Sequence, residues 1–403
     1  MSRKSLYLVI GLAAIMMVFT VTETYASPAR VAGLNLTGDH AMFTRDYVNT
    51  YPYPVAIARY SNLAWAHLGH SGSGMFARHR VMGLFHQIGE DGHYGVLGVT
   101  LRENSPQDPI LQSMVPYESS ASDLMGVSHQ QFDIIWGRDF EQASVGLRFD
   151  MARSSYEDED SGDVWAPDED EYGWFNSWAI AGAVDYDLTE DAMLEIGGEV
   201  RQYTFQDDDM DVNDDGSMSF RVAARVFYER AANRTMIPLV TYRRTDLGLE
   251  NSTLATYTLD DMLAGVACNH VVNGDDLLIY GAAFRYRALE NTEDDEILDD
   301  LSRRDFPVLF CALEHRFRDW LVGRGGASQA MVSTSCGEDD PDCGGTNWLE
   351  SEFEFALGIG LEFTNFTIDA TLNQNYPFTG FWFVSGQSTP RDLFGQVSFT
   401  YTY

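Results

Sequence analysis

Along most of this chain, large apolar residues alternate one for one with small or polar ones. In the run 351–363, Phe353, Phe355, Leu357, Ile359, Leu361 and Phe363 occupy the odd positions, while Glu, Ala or Gly occupies the even positions between them. Successive side chains of a strand point to opposite faces, so such a run makes a strand with one greasy and one polar side. Trp178, Ile180, Val184 and Tyr186 are set in the same way against Ser177, Ala179, Ala181, Ala183 and Asp185. The last residues repeat the device, with Val397, Phe399, Tyr401 and Tyr403 against Ser398, Thr400 and Thr402. The pattern predicts about sixteen strands, with fourteen as the alternative. They fall near 62–70, 78–88, 92–103, 126–137, 142–153, 174–187, 191–206 and 216–230. The second half continues at 234–245, 256–270, 275–288, 305–318, 321–333, 350–363, 365–374 and 393–402. Most exceed the ~5–6 residues of an average soluble strand and match the ~9–11 that a tilted strand needs to cross a bilayer.

The connections alternate in length. Short ones stand at 89–91, 138–141, 188–190, 231–233, 271–274, 319–320 and Thr364, and longer ones at 104–125, 154–173, 207–215, 246–255, 289–304, 334–349 and 375–392. A soluble sandwich has no reason to sort its loops in this way. A transmembrane antiparallel β-barrel does, with turns in the periplasm and loops outside. An all-β barrel over 62–403 is therefore expected, with both termini on the turn side.

Residues 1–26 are built differently. Arg3 and Lys4 precede an apolar stretch from Ser5 to Val21, and Thr24-Tyr25-Ala26 ends on a small residue. This is the form of a secretory signal peptide cleaved after Ala26; the other reading is an N-terminal membrane anchor. Export without a lipid anchor or further apolar helices fits periplasm, cell surface or outer membrane, and with the strand pattern the outer membrane of a Gram-negative cell is expected. Of the 26 basic and 61 acidic side chains, two basic and one acidic lie in this stretch, leaving 24 and 60 and a formal charge of −36. Every remaining basic residue is arginine, since Lys4 is the only lysine. Such a surface repels nucleic acid and attracts divalent cations.

Residues 27–61 carry Pro28, Gly33, Gly38, Pro52 and Pro54 among apolar Val31, Leu34, Leu36, Met42, Phe43, Val55 and Ile57. The prolines and glycines break any long element, and the apolar content calls for burial. The segment is expected either to plug the barrel or to seal its base as a periplasmic flap. Ser27-Pro28-Ala29-Arg30-Val31-Ala32-Gly33-Leu34, then Tyr53-Pro54-Val55-Ala56, resembles the N-terminus of the FadL-like fatty-acid transporter superfamily. The aromatic C-terminus and Ile368-Asp369-Ala370-Thr371-Leu372 are similar too. The family tends to have Asn-Pro-Ala where Tyr53-Pro54-Val55-Ala56 stands and a glycine-rich stretch at Leu34-Asn35-Leu36-Thr37. The resemblance implies fourteen strands, an N-terminal hatch over residues 27–61 and hydrophobic cargo.

If the apolar faces meet lipid, parity turns a charged set inward: Arg148, Asp150, Glu195, Glu199, Arg201, Arg221, Arg225, Arg285, Arg287, Glu352, Glu354, Glu362 and Asp369. Arginine on the lipid face near the midplane would cost about 2–4 kcal/mol, which supports this placement. The set could form a charged constriction that selects polar solutes or a salt-bridge lattice that fills the barrel.

Asp211-Val212-Asn213-Asp214-Asp215-Gly216 has the opening pattern of a calcium loop, with Asp209 as a further ligand. Its twelfth position is Val222 rather than glutamate, so this is no EF-hand, and Asp209, Asp211, Asn213 and Asp215 stand between a weak surface calcium site and a solvated acidic loop. Cys336 and Cys343 sit around one acidic loop, where an oxidising compartment favours a disulfide. Cys268 and Cys311 are expected to stay unpaired. His67, His70, His79, His86 and His93 cluster on the first strands, but parity scatters them over both faces and no nucleophile arrangement accompanies them.

The reading is a non-enzymatic outer-membrane channel or transporter, passive or gated, with no cofactor beyond calcium. The alternatives are a non-conducting surface scaffold and a FadL-like carrier. Expected partners are outer-membrane lipid, lipopolysaccharide, and the barrel-assembly machinery through the C-terminal strand.

Overall fold

The computed structural model describes residues 27–36, 38–70, 78–103, 105–106, 127–128, 130–158, 171–207, 212–214, 216–250, 256–273, 276–293, 296–336, 347–372 and 394–403. Sixteen of its strands close an antiparallel barrel. They are β1 (Leu63–His70), β2 (Arg78–Gln87), β3 (Val96–Glu103), β4 (Gln130–Asp139), β5 (Ala143–Asp158), β6 (Glu171–Thr189), β7 (Ala192–Asp207) and β8 (Met218–Ala231). Then follow β9 (Arg234–Leu247), β10 (Thr256–Val271), β11 (Asp276–Glu293), β12 (Glu296–Arg318), β13 (Leu321–Cys336), β14 (Asn347–Phe363), β15 (Phe366–Leu372) and β16 (Phe394–Thr402). Each pairs with its neighbours in sequence, and β1 closes the ring against β16 from Leu63↔Thr402 to Gly69↔Gln396. The count is sixteen, against the fourteen that the family resemblance implied. A closed ring leaves no unpaired edge, which lipid would not tolerate.

Alternation sets the two faces. Leu84, Val99, Ile134, Leu147, Ile180, Val200, Val240, Leu313 and Phe353 lie exposed on the outside, the apolar band that a lipid-facing wall requires. Cys268 and Cys311 are free and lie opposite the same outward residue, Tyr280.

Two expected boundaries move. Val96 rather than residue 92 opens β3, because Glu90–Gly92 forms a 3-10 turn and Gly95 takes φ +84. The expected loop 289–304 is instead paired strand, with Leu289↔Leu301 and Glu290↔Asp300 continuing to Glu293↔Glu296. Glu290, Glu293, Asp299 and Asp300 stand at both odd and even positions here, so the sequence carries no apolar alternation to betray the pairing.

Among the described residues, strands β5 to β14 run from 14 to 23 residues, and at roughly 3.3 Å per residue they exceed the length a bilayer crossing needs.

Residues 27–60 lie inside the ring. Helix α1 (Pro28–Gly33) starts where the Ser27 hydroxyl accepts the Arg30 N–H at 3.1 Å and Pro28 presets the first turn. Short 3-10 turns follow at Gly38–Phe43, Tyr47–Thr50 and Pro54–Arg59. The segment hydrogen-bonds to strands on every side: Ala29 to Ser398 of β16, Asn35 to Ser328 of β13, Phe43 to Asn269 of β10, and Tyr51 to Arg148 of β5. Only the interior of a closed barrel can reach all of these at once. Three inward glycines admit its backbone. A Cβ at Gly326 would lie 1.9 Å from the Leu34 carbonyl oxygen, one at Gly146 2.1 Å from the Val55 nitrogen, and one at Gly197 2.3 Å from the Pro52 carbonyl oxygen.

Apolar contacts complete the seat. Val31, Leu34, Leu36, Met42, Phe43, Tyr53 and Val55 bury against Phe227, Ile237, Leu239, Leu263, Ile279 and Phe310 of the wall. On the side of β1 to β4 Tyr47, Ala56, Ile57 and Tyr60 bury against Leu63, Trp65, Val81, Phe85, Val96 and Ile135. Each fully buried side chain of this size is worth about 1.5–3 kcal/mol before the cost of ordering the chain.

Candidate functional site

The site is the junction of this segment with the inner wall, and it is built from charges. Of the thirteen inward candidates, Arg148, Asp150, Glu195, Arg201, Arg225, Arg287 and Asp369 are buried. Glu199, Arg221, Arg285, Glu352 and Glu362 are partly buried, and Glu354 shares their face but is exposed. The structure sorts them into four groups, and in three the segment supplies charged partners of its own.

At one point Arg30 joins Glu314 at 2.6 Å and Asp46 at 3.0 Å. Arg324 reaches Glu314 and Asp369, both at 2.6 Å, and the Ser27 hydroxyl donates to Asp369 at 2.6 Å. Arg316 and Glu362 adjoin at 2.5 Å. The Arg30 guanidinium turns Nε, Nη1 and Nη2 all to carboxylates, the fork geometry that makes arginine the cation of choice in a dry site.

Across the lumen, Arg225 meets Glu195 at 2.6 Å and donates to the carbonyl oxygens of Met42 and Thr44. Its guanidinium also stacks 4.5 Å from the Tyr53 ring centre. Arg59 bridges Asp185 and Glu195. These contacts pin the middle and the end of the segment to β6, β7 and β8.

The third group is a wall lattice on β3 to β7. Arg201 meets Asp150 at 2.8 Å, Arg148 meets Asp150 at 3.0 Å and also Glu199, and Arg102 meets Asp133 at 2.5 Å. Arg148 donates to the Tyr51 carbonyl oxygen at 2.8 Å, and Arg102 lies over the Tyr51 ring at 4.3 Å. Burial pushes the Tyr51 hydroxyl up to about 12, partly offset by the Arg102 charge.

The fourth group surrounds Asp39. Arg221 contacts it at 2.7 Å and Arg285 at 3.7 Å, while Arg285 is also held by Asp261 at 2.8 Å. Burial alone would raise the Asp39 carboxyl, but Arg221 and Arg285 hold it below its ordinary value. Next to it His40 packs against Phe43 and Phe310. Burial, helped by the Arg285 charge, lowers its imidazole below 6.5. Arg287 meets Asp305 at 2.9 Å, and Arg303 joins Asp305 and Glu352 at 2.9 and 2.6 Å.

Sequence reasoning missed the segment's Arg30, Asp39, Asp46 and Arg59, and the wall's Asp133, Asp185, Asp261, Asp305, Glu314 and Arg324. The wall residues carried a readable signal, since each lies on the inward parity of its strand. The segment has no such period, so nothing marked its charges.

The other expected sites lie partly or wholly outside the described residues. His67 Nδ1 is 2.8 Å from the Ser398 hydroxyl inside, whereas His86 stacks on Tyr403 outside; the side chains of His70 and His79 lie outside the described residues. Asp209, Asp211 and Asp215 also lie outside them, and Asn213 is described only as backbone paired with Gln206 and Glu250. Among the described residues no group of three acidic, histidine or cysteine side chains could hold a metal. Cys336 ends β13 opposite Leu301, and Cys343 is outside the described residues.

No family model and no curated protein matches this chain. Among solved structures it is similar to the FrpB iron transporter from Neisseria meningitidis (F5-1 variant), at 12% identity over 79% of this chain and 56% of that one, with a TM-score of 0.45. The copper transporter OprC gives 10% identity over 60% and 42%, with a TM-score of 0.44. A Pseudomonas aeruginosa FadL homologue gives 11% identity over 92% and 97%, with a TM-score of 0.42. The chain thus spans about half the length of the two metal transporters it matches.

Proposed function

We propose that this chain is an outer-membrane transporter of small polar solutes whose lumen is closed by residues 27–61 acting as a plug. The observation that carries the reading is the seating of that segment. Its contacts reach strands on every side of the barrel, and apart from the peptide link through Tyr60–Asn62 to β1 only non-covalent contacts join it to the wall. A lattice made only of wall side chains could not leave the lumen. A segment held by ion pairs and glycine seats can be displaced, by a solute or by a partner pulling on it.

The apolar outer band supports an outer-membrane location, and the charged lining suits polar cargo better than the fatty acids of the FadL-like superfamily. The reading needs no catalytic group and no cofactor. Calcium at Asp209, Asp211, Asn213 and Asp215, and a Cys336–Cys343 disulfide, would act only on the outer rim. Both are checked by metal titration and by the mass of alkylated protein.

The test is single-channel conductance of the purified barrel in a planar bilayer. The full chain is expected to be closed or to open in brief steps, and deletion of 27–61 to give steady conductance with selectivity set by the lining. Steady conductance of the full chain would remove the plug. Silence from both forms would favour the second reading, a non-conducting scaffold, for which the filled lumen and the long strands β5 to β14 also speak.

A further inference from the structure

We propose that hydrolysis of the Ala26–Ser27 bond frees an α-ammonium group that docks against Asp369 inside the barrel and completes the charge set holding the segment. The proposal deepens the plug reading and rests on it.

Ser27 is fully buried, and its hydroxyl donates to Asp369 at 2.6 Å. Its amino nitrogen and its hydroxyl are borne on neighbouring carbons, so a rotation that brings a freed amine to the same carboxylate is short. The surrounding group holds two guanidiniums, Arg30 and Arg324, against three carboxylates, Asp46, Glu314 and Asp369. The adjoining Arg316–Glu362 pair adds one charge of each sign. Among these arginines and carboxylates the negative charges outnumber the positive by one. Excess charge in a dry site is costly, and one ammonium at Ser27 offsets it.

The sequence supplies that ammonium at the right residue. A basic start, an apolar stretch and Thr24-Tyr25-Ala26 place the expected cut immediately before Ser27. A leader peptidase adds water across the amide: the water oxygen goes to the Ala26 carboxylate, and the Ser27 nitrogen leaves as an amine that takes a proton.

One property of the chain makes the test unusually clean. Lys4 is the only lysine, so a chain that begins at Ser27 has a single primary amine. The protein is expressed at full length, purified from the outer membrane, weighed intact, and treated with the N-hydroxysuccinimide ester of acetic acid at neutral pH, both native and unfolded. The expected mass begins at Ser27, with one adduct in the unfolded protein. Native labelling should be slower by at least about tenfold, the effect of a one-unit rise in the amine's pKa.

Asp369→Asn should bring the native rate to within about threefold of the unfolded one. Should that variant fail to assemble, a Gly-Ser pair inserted between Ala26 and Ser27 moves the amine out of the pocket without altering the wall, and it should label freely. A mass that retains residues 1–26, or native labelling at the unfolded rate, overturns the proposal. Conductance separates it from the plug reading. Fast labelling with a silent bilayer sinks the ion pair alone; protection with steady conductance keeps the ion pair and removes the plug.

Discussion

Arg225 and Glu195 meet at 2.6 Å with both side chains fully buried, and such a pair is unforgiving when halved. Removing Glu195 leaves the buried Arg225 guanidinium without its carboxylate, so Glu195→Ala should destabilise the barrel by roughly 3–5 kcal/mol. Heat-dependent loss of the compact species on a gel measures it, and Arg225→Ala should cost less, because Arg59 stays beside Glu195. The inner glycines predict the opposite balance. Gly326→Ala places a methyl 1.9 Å from the Leu34 carbonyl oxygen, and Gly146→Ala one 2.1 Å from the Val55 nitrogen. Both methyls face the lumen rather than a strand partner, so the wall should fold while the segment is pushed off. Conductance should rise with little change in heat stability. His40 adds a pH dependence whose sign is fixed. Burial and Arg285 hold its imidazole below 6.5, so the released segment binds the proton more readily than the seated one. Its contribution to seating is full above pH 6.5 and is lost as the pH falls below that value. Opening should be more frequent at pH 5.5 than at 7.5, and His40→Gln should flatten that difference.

At the scale of elements, alternation placed all sixteen strands because a lipid-facing wall repeats with period two. It was weakest where that repeat is hidden. Strands β8 to β12 are apolar on both faces wherever Phe227, Ile237, Leu263, Ile279 and Phe310 turn inward to hold the segment. A rule of greasy outside and polar inside misreads such positions. The acidic hairpin of β11 and β12 hid in the other way, having polar residues on both faces. The segment itself was legible as something buried, since prolines and apolar residues together exclude both a long helix and a solvated tail. Its ion pairs were not, because 3-10 turns carry no fixed period. This element also makes the sharpest prediction of transport: deleting residues 27–61 should convert rare openings into steady conductance, read in a planar bilayer.

For the whole molecule, the formal charge of −35 conceals a division of labour. The arginines concentrate on the inner wall and the segment, paired with carboxylates there, and the acidic excess is left for the connections. Among residues 71–77, 107–126, 159–170, 208–211, 251–255, 337–346 and 373–393, the sole basic side chain is Arg391. Closure of the ring is what makes this possible, since it turns one face of every strand into an interior. The consequence concerns digestion. A protease of trypsin's specificity cuts only after lysine or arginine, and this chain has withdrawn nearly all such bonds from the side of the wall that a cell exposes. Intact cells treated with trypsin should yield a chain that is whole or nicked after Arg391. A protease that cuts after acidic residues, under the same conditions, should shave the rim and leave a barrel-sized core. A protein coloured so strongly by one charge has, in effect, chosen which enzymes its surroundings may use against it.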